Sequence, residues 1–151
     1  MLERRDVVMQ LLVGAPGPIA SLTGISPPME PMTSAHTSAG LCLWLSPRQW
    51  LLIGGSLEVR HAGSVAVLDA GSRWRLFEVQ GDAAAAVINA GCSLDLRAER
   101  FPIGRVAQTR IEQVPAIVYR RDHNHFDVLV ERPLAHYFQM WLEEQWQNQR
   151  A

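Results

Sequence analysis

The chain has 151 residues, 48% of them apolar and 19% charged, with a formal net charge of −1. That size and composition fit one globular domain over 1–151 with a core of its own and exclude a disordered chain. A net charge near zero leaves no basic field for nucleic acid or an anionic membrane surface, and the absence of lysine excludes Schiff-base chemistry and a P-loop.

The first predicted element is a strand over Val7–Val13, rich in β-branched and apolar residues and stopped by Gly14. Upstream, Glu3 and Asp6 sit where a secretory signal would be basic, so no leader is expected. No stretch reaches the roughly 18 apolar residues of a membrane span. The expected location is therefore cytoplasmic. Pro18 suits the first turn of a short helix that Gly24 ends. SPPMEPMTSAHTSAG reads as a Pro/Ser/Gly loop. Leu41–Leu45 is a strand. Ser46-Pro47-Arg48-Gln49 then matches a capping box, which predicts one tight helical turn before the chain extends again at Leu51–Gly54.

Val65–Ala70 is the next strand. Arg73–Gln80 alternates with a phase slip at Leu76-Phe77, which suggests a bulge. Asp82 is the expected N-cap of the helix AAAAVINA, and Gly91 its stop. Three strands follow, at Arg105–Glu112, Ala116–Arg121 and Phe126–Glu131. Pro133 opens a last helix with an apolar stripe of Leu134, Tyr137, Phe138, Trp141 and Leu142. RWRLFEVQ-GDAAAAVINAG and HFDVLVER-PLAHYFQMWLEE echo one another as strand running straight into helix. Antiparallel sheets with helices on one face define an α+β fold, with two ferredoxin-like or split βαβ units.

Between Val7 and Pro47 the only charged residue is Glu30, and six of the nine prolines fall there. A mobile, solvated arm would carry more charge. The segment is therefore covered, by its own domain or by another chain, since charge depletion marks interface cores.

Known catalytic and nucleotide motifs are missing. VGAPGPIASLTG has the wrong glycine spacing for a phosphate loop, and Pro16 and Pro18 lack the N–H groups a phosphate needs. His123-Asn124-His125 offers two imidazoles at i, i+2, but no third metal ligand is evident; Asp122-His123-Asn124 is better turn chemistry. His36, His61 and His136 lie near no nucleophile. Asp69 is expected to cap its turn. Cys42 and Cys92 sit in apolar contexts and are expected to be buried free thiols.

Several phrases, taken in order, resemble gamma subunits of heterotetrameric sarcosine oxidases. They are Trp44 to Leu52, Asp69 to Arg73, Gly91 to Leu96, Phe101 to Gly104 and Ala107 to Thr109, within roughly residues 40–145. Ser72 stands one place later than that pattern, so no role is carried onto it. The resemblance implies a non-catalytic structural subunit of a flavin-dependent complex that oxidatively demethylates sarcosine or a related N-methyl amino acid. It implies larger flavin- and folate-binding partner subunits, with FAD, covalent FMN, NAD and tetrahydrofolate on them and zinc on a small subunit. It implies a fold like the folate-binding domain of aminomethyltransferases. Trp44 and Trp50 are expected to clamp a strand–turn–strand corner. Trp44, Arg48, Trp50, Arg73 and Arg97 are the candidate partner-interface residues, because arginine and tryptophan are enriched at interfaces. The alternative is a stand-alone folate-binding protein with Asp69 or Asp95 on the pterin.

Overall fold

A computed structural model describes residues 1–4 and 7–151; Arg5 and Asp6 lie outside the described residues. In chain order the elements are β1 (Leu2–Arg4), β2 (Met9–Val13), α1 (Pro16–Thr23), β3 (Ser34–Thr37), β4 (Gly40–Ser46), β5 (Gln49–Ile53), β6 (Arg60–Ala62), β7 (Val65–Asp69), β8 (Trp74–Gln80), α2 (Ala84–Asn89), β9 (Val106–Ile111), β10 (Val114–Asp122), β11 (His125–Glu131) and α3 (Arg132–Arg150). The fold is α+β, and every strand pair given is antiparallel. The single domain expected over 1–151 divides into two compact units, Met1–Arg5 with Arg73–Ala151, and Asp6–Ser72.

The first unit is a five-stranded sheet in the order β1-β8-β11-β10-β9. The strand–helix echo is real: β8 leads to α2 and β11 to α3. Phe77 and Val79 of β8, and Phe126, Val128 and Val130 of β11, point to one face and share a core with Val87, Ile88, Phe138 and Leu142 of the helices. Phe138 meets Phe77 nearly edge-on, with centroids 5.3 Å apart. That contact fixes how α3 is rolled. Ala135, Phe138 and Leu142 are buried, while Leu134 and Tyr137 of the expected stripe are exposed.

No bulge interrupts β8 at Leu76-Phe77, since its register with β11 runs unbroken from Trp74 to Gln80. Leu76 and Phe77 simply face opposite sides, and both are buried. A strand buried on both faces carries no alternation to slip. Asp82 does not cap α2. Ala83 holds that position without a side-chain bond, and Asp82 instead accepts a hydrogen bond from Asn124 Nδ2 at 2.9 Å. Gly91 ends the helix where another residue would not fit, because a Cβ there would lie 2.7 Å from the Trp141 ring and 2.9 Å from the Glu112 nitrogen.

The long connection from α2 to β9 is held from inside by Arg120, which is 5% exposed. Its Nη1 donates to the Leu96 and Phe101 carbonyls at 3.0 and 2.8 Å, and its Nη2 to the His123 carbonyl at 2.6 Å. Its guanidinium also lies 5.1 Å from the Phe126 ring centroid. A buried cation is tolerated when its donors are met in this way.

The second unit is a six-stranded sheet in the order β3-β4-β5-β2-β7-β6. Leu12, Cys42, Trp50, Leu52, Val65 and Val67 share a core with Ile19 of α1. Pro16 starts α1, and Gly24 ends it in the left-handed conformation, φ +77, with its N–H on the Ala20 carbonyl. The helical turn expected at Ser46–Gln49 is a two-residue hairpin, in which Ser46 pairs directly with Gln49. Pro47 presets the turn's φ, and the Arg48 N–H donates to Ser46 Oγ at 3.3 Å. A single helical turn fixes several dihedrals for one hydrogen bond. The hairpin instead continues a ladder that pairs Trp44 with Trp50 and Leu43 with Leu51. β3 lies within the segment expected to be a loop.

Candidate functional site

Two places in the structure concentrate chemistry, one in each unit. In the first unit, strand period 2 puts His125 and Asp127 on the same face of β11. Glu78 of β8 stands directly opposite Asp127. This is the face turned away from α2 and α3. His125 Nε2 lies 3.7 Å from both Glu78 Oε1 and Asp127 Oδ1. A register shift in β10 between Arg120 and Asp122 admits Arg121 to the group, where it donates to Asp127 Oδ2. Arg4 pairs with Glu78 at 3.2 Å.

Asp127 is fully buried, and among the described residues neither its Oδ1 nor His125 Nε2 has a hydrogen-bond partner. Burial pushes the Asp127 carboxyl above its ordinary range, against the opposing pull of Arg121 and His125. Burial acts to lower Arg121, but the hydrogen bond and charge of Asp127 outweigh it and hold the guanidinium firmly protonated. Glu78, His125 and Asp127 form a group of three potential metal ligands, with the ligand atoms within 4.8 Å of one another. The sequence singled out His123 and His125 as the pair at i, i+2. His123 is exposed and its N–H donates to Asp122 Oδ1 at 2.7 Å, so it belongs to the polar turn. The informative pair is His125 and Asp127, with Glu78 contributed by a strand some 50 residues earlier in the chain.

In the second unit, Trp44 and Trp50 line a hollow of about 180 Å³ with Pro16, Met29, Pro31 and Pro47. All six lining residues have apolar or aromatic side chains, so no charged side chain among them fixes a ligand's orientation. Trp50 is 1% exposed and its Nε1 donates to the Pro28 carbonyl at 2.7 Å, which ties the proline loop over the hairpin.

Of the five candidate interface residues, three belong to one unit and two to the other. Trp44, Arg48 and Trp50 share the β4–β5 hairpin, with Trp50 buried inside its own unit and Arg48 exposed. Arg73 and Arg97 belong to the other unit. Arg73 stacks 4.3 Å from the Trp74 ring centroid and pairs with Glu131 at 3.4 Å. Arg97 forms a two-pronged pair with Asp95 at 2.6 and 2.9 Å, and the hydrogen bonds from Arg97 hold the Asp95 carboxyl down at about 2. Asp69 accepts the Gly71 N–H at 3.0 Å, the turn role expected of it. Cys42 and Cys92 are free and buried, and burial pushes the Cys42 thiol up to about 12. Among the described residues, no helix is long and apolar enough to cross a membrane.

The chain is an α+β protein of two antiparallel-sheet units, one with α2 and α3 packed on a sheet face and the other with α1 packed on its core. Residues 22–148 match the sarcosine oxidase, gamma subunit family, and the chain belongs to that family. Sarcosine oxidase subunit gamma of Corynebacterium sp. (strain U-96) is 25% identical over 133 residues, which is 82% of this chain. The chain spans 65% of the length of that curated relative. A chain of the heterotetrameric sarcosine oxidase from Corynebacterium sp. U-96, solved in complex with pyrrole 2-carboxylate, has the same fold. The TM-score is 0.86 at 22% identity, over 99% of this chain and 84% of that one.

Proposed function

We propose that this chain is a non-catalytic structural subunit of a flavin-dependent heterotetrameric complex that oxidatively demethylates sarcosine or a related N-methyl amino acid. The observation that carries this is family membership across residues 22–148. In this reading FAD, covalent FMN, NAD and tetrahydrofolate reside on the larger subunits, zinc on a small one, and the complex is cytoplasmic. The surface offered to those subunits centres on the β4–β5 hairpin. Trp44 and Arg48 stand there beside the apolar hollow, and Met29 and Met32 are exposed at 72% and 47%. Exposed methionine beside tryptophan and arginine, in a stretch almost free of charge, is the composition of an interface core. Arg73 and Arg97 are already paired within the chain and would contribute at the rim of contacts made by the other unit.

The test is an affinity pull-down of the tagged chain from its native host, with an absorption spectrum of the eluate. Large co-purifying chains and flavin bands are expected. A lone, colourless chain that binds tetrahydrofolate would overturn the proposal in favour of a stand-alone folate-binding protein.

A further inference from the structure

We propose that Glu78, His125 and Asp127 form a binding site for a zinc-class divalent cation, on the sheet face opposite α2 and α3. The donor set is one imidazole nitrogen and two carboxylate oxygens, which suits zinc and leaves a fourth position open for water or a partner's ligand. Spacing supports it. Two ligands on a tetrahedral zinc at about 2.0–2.1 Å stand about 3.4 Å apart, and His125 Nε2 is 3.7 Å from each carboxylate oxygen. A shift of a few tenths of an ångström closes the site. All three residues lie on paired central strands, which hold them in register with no loop involved.

The independent sign is the missing hydrogen bonds. A fully buried carboxylate oxygen and a buried imidazole nitrogen normally find partners. Asp127 Oδ1 and His125 Nε2 have none among the described residues and face one another across 3.7 Å. Too far apart for a hydrogen bond, they stand at a separation a shared cation bridges. The neighbours fit the same purpose. Arg121 occupies Asp127 Oδ2 and so orients Oδ1 toward the cluster, as hydrogen-bonded carboxylate ligands are commonly oriented. Arg4 is part-exposed and must yield Glu78 Oε1 when the metal binds. Two nearby guanidiniums oppose a dication, so the site is weaker than an all-thiolate structural zinc site.

This inference does not depend on the subunit proposal, and its test uses this chain alone, so zinc elsewhere in a complex does not enter. The chain is stripped with a chelator, given zinc ions, desalted and assayed for bound metal, with binding followed by calorimetry. One zinc per chain is expected, with the fold's melting temperature raised by the metal. Asp127→Asn and His125→Gln should each weaken binding by about 10–100-fold, the loss typical even of groups that merely support a ligand. His123→Gln, two residues away in the exposed turn, should bind like the parent. Circular dichroism of the stripped variants checks that they fold. Cobalt substitution gives a readout that needs no variant, because a four-coordinate site produces visible absorption bands. Retention of zinc by the Glu78→Gln, His125→Gln, Asp127→Asn triple variant would overturn the proposal. Failure of the parent chain to retain zinc or to colour with cobalt would also overturn it, and would leave the cluster as an ion network centred on the Arg121–Asp127 pair.

Discussion

Replacing Arg120 with methionine keeps an unbranched stem reaching about as far as Nε and removes the guanidinium donors. In the structure three carbonyls, those of Leu96, Phe101 and His123, lose a charged partner at 2.6–3.0 Å. Hydrogen bonds to charged groups are worth about 1.5–3 kcal/mol each. Their straight sum is only a ceiling, because deletions within one network are not additive. The His123 carbonyl sits in a turn and can take water instead. The expected loss is therefore about 3–5 kcal/mol, below that ceiling and in line with two buried acceptors left unsatisfied. For a chain of this length that corresponds to a fall in melting temperature of roughly 6–20 °C. The loss should be local at first. Amide hydrogen exchange, resolved by peptide, should quicken over residues 96–105, where the Gly104 N–H donates to the Arg120 carbonyl and the Phe101 N–H to that of Arg97. Arg120→Lys should recover only part of the stability, since a single ammonium cannot reach carbonyls spread around the edge of the guanidinium. A methionine variant melting within about 2 °C of the parent, with exchange over 96–105 unchanged, would refute the claim that Arg120 holds this connection.

Gly91→Ala drives a methyl into the Trp141 ring and the Glu112 nitrogen. Overpacking of this kind costs about 1–3 kcal/mol, read as a lower denaturation midpoint at unchanged m-value. Trp50→Phe keeps most of the apolar contact but strands the Pro28 carbonyl, and should cost about 1–2 kcal/mol in urea unfolding. Cys42 is raised from 9.0 to about 12 in the folded chain. The unfolded thiol ionises first, so its contribution to stability is complete below pH 9 and fades as pH rises toward 12. At mildly alkaline pH the native chain should leave Cys42 unalkylated in peptide mass spectrometry, and denaturation should expose it to complete labelling.

Much of this architecture was legible in the sequence, and the losses follow a pattern. The strands read from the sequence include all those that have two neighbours, such as β8, β10 and β11, where burial demands long apolar stretches. The strands that escaped were β1, β3 and β6, each at the edge of a sheet. Edge strands pair on one side only and carry polar or small residues such as SAHT and RHA, which read as loop. Short-range signals misled where a ladder competed with them. The Ser46–Gln49 capping box is a hairpin turn because β4 and β5 pair through it. The Asp82 cap was lost to Asn124, a residue 42 positions away. The Glu78–His125–Asp127 cluster was half legible. His125 and Asp127 share a face by alternation alone, but Glu78 joins them through a strand pairing that composition does not encode. The five interface candidates rested on residue type, and residue type does not reveal that Trp50 is enclosed or that Arg97 already holds Asp95.

Leu2–Arg4 pair with Leu76–Glu78, so the first residues of the chain complete a sheet whose other strands all come from its second half. During synthesis, residues 7–72 contain every strand of their own six-stranded sheet before β8 leaves the ribosome. Domains generally fold as units in the order they emerge. The N-terminal strand therefore waits unpaired while its neighbour in sequence folds, and docks only once the later strand exists. A substitution that weakens the pairing of Leu2–Arg4 with β8 would therefore act on the sheet completed last, after the six-stranded sheet has all its strands.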